Sequence, residues 1–224
     1  VAERYPQLVR DIDDAGHEIG SHSYWHRLIY ELSPQQFRED LVRSRDILED
    51  LTGNPIKSFR APSFSITSRS LWALDILAEE GFAVDSSIFP IHHDRYGIPD
   101  APCQPHPRET TCQQLWEYPA SAARFCGVNL PVSGGGYFRL LPYRVSRCLL
   151  RRINVERPFV FYFHPWEVDP DQPRLKVSTR LNRFRHYVNL STTESKFRHL
   201  LADFSFGRLD ESLAEYRHSS HPRK

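Results

Sequence analysis

The sequence predicts an α/β fold built on a parallel sheet, and two observations carry that expectation. Residues 1–90 alternate helical and extended patterns with a capping signal at each helix end. Phe159-Val160-Phe161-Tyr162-Phe163 is the most apolar run in the chain and suits a central strand buried on both faces. The chain has 224 residues and a mass of 26.2 kDa, enough to bury roughly 70% of its unfolded surface without staples. Lys and Arg total 29 against 28 Asp and Glu, so no charge excess points to nucleic acid or an anionic membrane. No apolar run approaches the ~18 residues of a membrane span. Histidine is abundant at 11 residues, and methionine is absent even from position 1, the pattern of a processed or truncated piece.

The first element is an amphipathic helix over residues 5–15, with Pro6 in its first turn and Gly16 as a left-handed cap. A short strand follows over 17–22. Ser33-Pro34-Gln35-Gln36 starts the second helix, since it joins an N-cap serine to Pro at the first position and Gln at the third. Its stripe of Phe37, Leu41, Ile47, Leu48 and Leu51 runs until Gly53. Residues 58–60 are a short strand. Ser68 caps a third helix with the stripe Leu71, Leu74, Leu77 and Ala78, closed by Gly81, and 82–85 is the next strand.

From His92 to Pro142 the alternation gives way to Pro, Gly and short strands such as 115–118, read as a loop-rich insertion. After the 159–163 run, residues 174–185 are basic and fit a solvated face better than a polyanion site. Ser191 opens a last helix with Glu194 three residues on, and the tail from His218 to Lys224 is polar and expected to be disordered. Cys103, Cys112, Cys126 and Cys148 form no metal-binding spacing. Scattered thiols are the simpler reading, disulfides stay open, and the pattern fits a cytoplasmic chain better than a secreted one.

The candidate chemistry lies at strand ends. Gly20-Ser21-His22-Ser23-Tyr24-Trp25-His26 places two imidazoles four residues apart, where both can face one ion. A bare His pair of this spacing is a weak signal; its place at the C-terminal end of a strand strengthens it. His164 ends the apolar run and is placed for proton transfer. Arg60 follows a third strand and can orient a carboxylate or a substrate oxygen, and Asp85 closes a fourth. Each of these alone is ordinary as a surface ion pair or a capping histidine. Their succession at four strand ends in chain order is not.

These segments resemble the polysaccharide deacetylases, carbohydrate esterase family 4 with the NodB-homology domain. The resemblance rests on 20–26, Arg60-Ala61-Pro62-Ser63-Phe64-Ser65-Ile66 and Phe161-Tyr162-Phe163-His164-Pro165-Trp166-Glu167. Asp85-Ser86-Ser87-Ile88-Phe89-Pro90, Gly134-Gly135-Gly136-Tyr137-Phe138-Arg139 and 164–173 are similar to the subfamily found with exosortase (PEP-CTERM) exopolysaccharide systems. The resemblance implies a deformed (β/α) barrel of seven strands. It implies one divalent metal ion, zinc by preference, and a polysaccharide substrate whose N-acetyl groups are hydrolysed. His22 and His26 would be two of three metal ligands. Arg60 would orient the catalytic carboxylate, His164 would be the general acid, and Asp85 would support it. Trp166 and Tyr137 would line the sugar site.

The resemblance also implies a partial domain over residues 1–209, with a subfamily-specific part over 174–209 and a polar tail over 210–224. The chain would begin after the family's first strand, whose two aspartates supply the third ligand and the general base, and the piece alone would be inactive. Asp13-Asp14 at a helix end is a solvated pair and no substitute. Two other readings stay open: a different amide hydrolase on the same scaffold, and a glycan-binding remnant without catalysis.

Overall fold

The computed structural model describes residues 1–174 and 179–220, apart from the side chains of Leu181 and Ser220. The last four residues of the expected tail, 221–224, and residues 175–178 of the basic stretch lie outside the described residues. The chain divides into two compact units, Val1–Ala120 with Arg208–Lys224, and Ser121–Gly207.

In the first unit, α1 (Pro6–Asp14) has Pro in its first turn and ends before Gly16 at φ +83°. The strand expected over 17–22 is reduced to one parallel bridge, Ser21 to Phe59. Its two hydrogen bonds, Ser21 N to Ser58 O at 2.9 Å and Arg60 N to Ser21 O at 3.0 Å, still bring Ser21 and Arg60 side by side. Helix α2 (Pro34–Thr52) has the full capping box between Ser33 and Gln36, and Gly53 ends it at φ +69°. It buries Phe37 and Leu41 against the sheet, with Asp40 and Ser44 buried on the same helix.

Strand β1 (Ser58–Phe59) precedes α3 (Trp72–Glu79), which starts later than expected. Ser68 does not cap it. The preceding turn is instead closed by Ser70, whose hydroxyl accepts from Thr67 N at 3.0 Å and donates to Ser65 O at 3.1 Å. The apolar stripe forms as read, with Leu74, Leu77 and Ala78 buried. Strands β2 (Val84–Asp85), β3 (His106–Glu109) and β4 (Gln114–Glu117) complete an open mixed sheet in the order β1-β2-β4-β3. β4 pairs parallel with β2, so residues read as part of an insertion belong to the sheet.

The core joins Ile29, Phe37, Leu41, Phe59, Leu74, Leu77, Phe82 and Leu115. Phe59 meets Phe37 and Phe82 edge-on at 5.7 and 6.0 Å, the arrangement ring quadrupoles favour. The C-terminal helix Leu209–Ser220 belongs to this unit and extends through His218, where an unstructured tail was expected. Ser212 joins it to Tyr118 at 3.0 Å between hydroxyls, and Asp210 N donates to Glu18 at 3.0 Å.

In the second unit, β5 (Ala122–Phe125) and β6 (Val128–Pro131) form a hairpin turning through Cys126 and Gly127, both at positive φ as a type I′ turn requires. Helices α4 (Gly135–Leu140), α5 (Tyr143–Glu156), α6 (Arg180–Tyr187) and α7 (Leu190–Asp203) follow. α7 starts one residue ahead of Ser191, with Asn189 at φ +52° as its N-cap. The expected central strand over 159–163 is not formed. The segment is extended, but Tyr162 makes one parallel bridge, to Gly134, and only Val160 in the run is buried. Its apolar side chains are used differently: Phe159 and Phe161 pack on the core of Val132, Phe138, Leu150, Ile153 and Leu200. The four cysteines are free thiols.

Candidate active site

Within the first unit, the His22–His26 loop is held by side chains of α2. Both oxygens of buried Asp40 accept backbone amides, Tyr24 N and Trp25 N, each at 2.8 Å. Ser21 and Ser44 share a hydroxyl contact at 2.9 Å. The loop needs these anchors because Ser23 and His26 lie at φ +68° and +56°, a region costly for residues with a Cβ. The result brings the two expected ligands together, with ring centroids 5.1 Å apart. Both are exposed.

His22 Nδ1 lies 2.6 Å from the carbonyl oxygen of Arg60. A carbonyl only accepts, so Nδ1 carries the proton and the Nε2 lone pair is the ring's ligand atom. A backbone carbonyl behind a histidine is how metal-binding imidazoles are commonly oriented. The two rings therefore suit two positions of a divalent ion. Among the described residues no group of three or more His, Cys, Asp or Glu side chains is arranged to hold one.

The Arg60 guanidinium donates to Ser86, from Nε to the carbonyl at 3.0 Å and from Nη2 to Oγ at 2.8 Å. Asp85 and Glu117 are among the carboxylates that feel its charge. Asp85 is fully buried, with Oδ1 accepting from Ser87 Oγ at 2.5 Å and Oδ2 from Ser87 N at 3.2 Å. Glu117 accepts from Ile88 N at 3.1 Å. Burial pushes Glu117 well above the usual carboxylate range, and the neighbouring Asp85 adds to it. Burial also raises Asp85, against hydrogen bonds from Glu117 and Ser87 and the pull of Arg60.

Within the second unit, His164 caps the 3-10 turn Pro165–Val168. Glu167 reaches back along this turn, and its Oε1 accepts from His164 N at 3.1 Å and from His164 Nδ1 at 2.9 Å. Its Oε2 accepts from Arg139 Nη1 at 2.5 Å, a pair with both side chains 2% exposed. Arg139 is fixed in turn by the carbonyl of Arg185 at 2.7 Å. The His164 ring itself is half exposed. Trp166 stacks on His186 at 4.1 Å and lies under the Arg139 guanidinium at 4.9 Å. Tyr137 sits half-buried on α4, beside Phe138 of the core.

Sequence reasoning missed Asp40, Glu117, Glu167 and Arg139. Glu167 was within reach of it, because His-Pro-x-Glu repeats the spacing of N-cap, Pro and side-chain acceptor at N3 used to find α2, with Glu167 in place of Gln36. Asp40 and Glu117 carry no local signal; each is defined by what a distant segment places against it.

Comparison with known proteins assigns the chain. A polysaccharide deacetylase model matches residues 1–81, and a model described as a domain of unknown function, DUF3473, matches 86–214, more than half the chain. The chain belongs to the DUF3473 family and carries a polysaccharide deacetylase domain in front of that segment. The metal-ligand candidates His22 and His26 lie in the deacetylase domain, and His164 lies in the DUF3473 segment.

A peptidoglycan-N-acetylglucosamine deacetylase of Bacillus cereus is 27% identical over 97 residues, covering 38% of this chain and 35% of that protein. A peptidoglycan deacetylase of Helicobacter pylori is 29% identical over 92 residues, covering 41% and 30%. The chain thus matches about a third of the length of these curated relatives. Among solved structures, a putative polysaccharide deacetylase from Mycobacterium smegmatis superposes with a TM-score of 0.60 at 18% identity, over 98% of this chain and 69% of that one. The PuuE allantoinase gives 0.59 at 17%, over 100% and 66%. These two likenesses establish the α/β fold of this chain.

Proposed function

We propose that this chain supplies metal ligands and the proton donor of a metal-dependent hydrolase that removes N-acetyl groups from an amino-sugar polysaccharide, an exopolysaccharide in particular. The observation that carries the reading is the His22–His26 pair: one ring is locked by the Arg60 carbonyl, and both lie in the segment matched by the deacetylase model. His22 and His26 would hold the ion, zinc by preference. When bound, such an ion acidifies a water and polarises the amide carbonyl. The open sheet is then one part of a deformed (β/α) barrel.

His164 keeps its proton donor ready for the departing nitrogen as the C–N bond breaks and the acetyl carbon gains the water oxygen. Arg60 fixes the Ser86 backbone and holds charge against the Asp85–Glu117 pair. That pair is too deeply buried to meet a water and is not the base. Trp166 and Tyr137 offer ring surface to the sugar. The test measures acetate released from N-acetylglucosamine oligomers and acetylated exopolysaccharide by the protein as its source cell makes it. Turnover should stop with a chelator and return with zinc. Acetate release that ignores the chelator, or turnover of a small ureide in its place, would overturn the reading. Saccharide binding without turnover would favour a glycan-binding role.

A further inference from the structure

Glu167 and Arg139 form a buried ion pair that the reading above does not use, and one oxygen of that pair rests on the His164 ring. A paired charge taken out of water is a costly way to satisfy one backbone amide at the start of a four-residue turn. The geometry gives the glutamate a second use. Arg139 holds Glu167 from α4 and is itself tied to the Arg185 carbonyl on α6, so the carboxylate is fixed from two helices. Its Oε1 then meets both the backbone and the ring of His164.

We propose that Glu167, held by Arg139, is a positioning residue for His164: it keeps one proton on Nδ1 and makes Nε2 the atom that gives a proton to the departing nitrogen. This inference rests on reading His164 as the general acid. In that step the nitrogen takes the electron pair of the broken C–N bond and the proton from Nε2. The ring is left neutral with Nδ1–H still donated to Glu167.

Other groups face the ring as well. Tyr162 of the extended segment meets it edge-on at 6.2 Å, and Trp166 stacks at 5.5 Å. His186 of α6 lies beyond Trp166, and burial, with Arg139 adding, holds it below the ordinary histidine range. Arg139 opposes Glu167 in sign but contacts its far oxygen, so Glu167 is the nearer charge.

The test is nitrogen-15 NMR of histidine-labelled full chain, which reads the ring tautomer without requiring turnover. The wild-type neutral ring should carry its proton on Nδ1. Glu167→Ala removes the acceptor, so the ratio of Nδ1–H to Nε2–H forms of the neutral His164 ring should fall by roughly tenfold. Glu167→Gln, which keeps a side-chain acceptor, should retain part of that preference. A neutral wild-type ring protonated on Nε2, or a tautomer ratio unchanged in Glu167→Ala, would overturn the proposal. If Glu167→Ala fails to fold, the wild-type tautomer alone decides. His164→Ala with undiminished turnover in the source-cell protein would overturn the general-acid reading instead, and leaves the NMR result intact.

Discussion

Asp85 and Glu117 are register partners across the parallel pairing of β2 and β4, and both carboxyl groups are buried. Two acids on adjacent strands, shut off from water, cannot both ionise cheaply, and burial raises both above their ordinary values. Arg60 limits the cost from one side and Ser87 from the other.

That arrangement predicts a pH-dependent stability. Glu117 is raised above its unfolded value, so its contribution is complete below the ordinary carboxylate range and is lost as pH rises through the folded value. Glu117→Gln keeps a polar group against Ile88 N and removes the titration. Thermal melts of both proteins from acid to alkaline pH should converge at low pH and separate, in favour of the variant, as pH rises. Parallel curves would mean that the pair does not titrate in that range.

Asp40 holds the histidine loop, so its removal should act at a distance. Asp40→Ala leaves two backbone amides without their acceptor and should cost about 1–3 kcal/mol. It should also weaken divalent-ion binding by roughly 10–100-fold, the usual effect of losing a group that orients ligands. Urea unfolding measures the first and cobalt titration the second. Unchanged cobalt affinity would separate the loop's anchoring from metal binding.

His22→Ala and His26→Ala should each abolish the visible absorption of cobalt bound to the full chain, with little change in melting temperature. Their exposed rings contribute little to the core. Cobalt spectra that survive both changes would place the ion elsewhere.

Gly134→Ala should be among the most damaging small substitutions. A Cβ there would stand 2.0 Å from the Tyr162 carbonyl oxygen, on a backbone at φ +139°. We expect a loss of about 3 kcal/mol or more, since the strained conformation alone costs about 1–3 kcal/mol. Gly53→Ala, with nothing within 4 Å of the new methyl, should cost only about 1 kcal/mol. Equal denaturant midpoints for the two variants would contradict this contrast.

Helix α2 shows what a sequence can specify by itself. Ser33, Pro34, Gln36 and Gly53 act on their own neighbours within four residues, so the box and the stop were legible before any fold was known. The positions of His22, His26 and His164 at the exits of short extended segments were legible for the same local reason. The central-strand expectation for 159–163 failed because apolar composition says that a segment packs, not what it pairs with. Its rings went to the helices of the second unit, and one bridge at Tyr162 is its ladder. Ser68 failed as a cap because Ser70, two residues on, closes the turn first.

The sequence by itself determined α1, α2, the stripe of α3, the opening of α7, the α/β alternation of residues 1–90 and the identity of the polar residues at the strand ends, because caps, stripes and turns are set by interactions a few residues long. Only the tertiary structure decided their electrostatic state. Asp40 reaches the histidine loop from α2, Glu117 meets Asp85 from a strand 32 residues on in register, and Arg139 locks Glu167 from α4. A carboxylate's charge depends on the solvent it loses and the partners it gains, and both are fixed by segments far away in the chain.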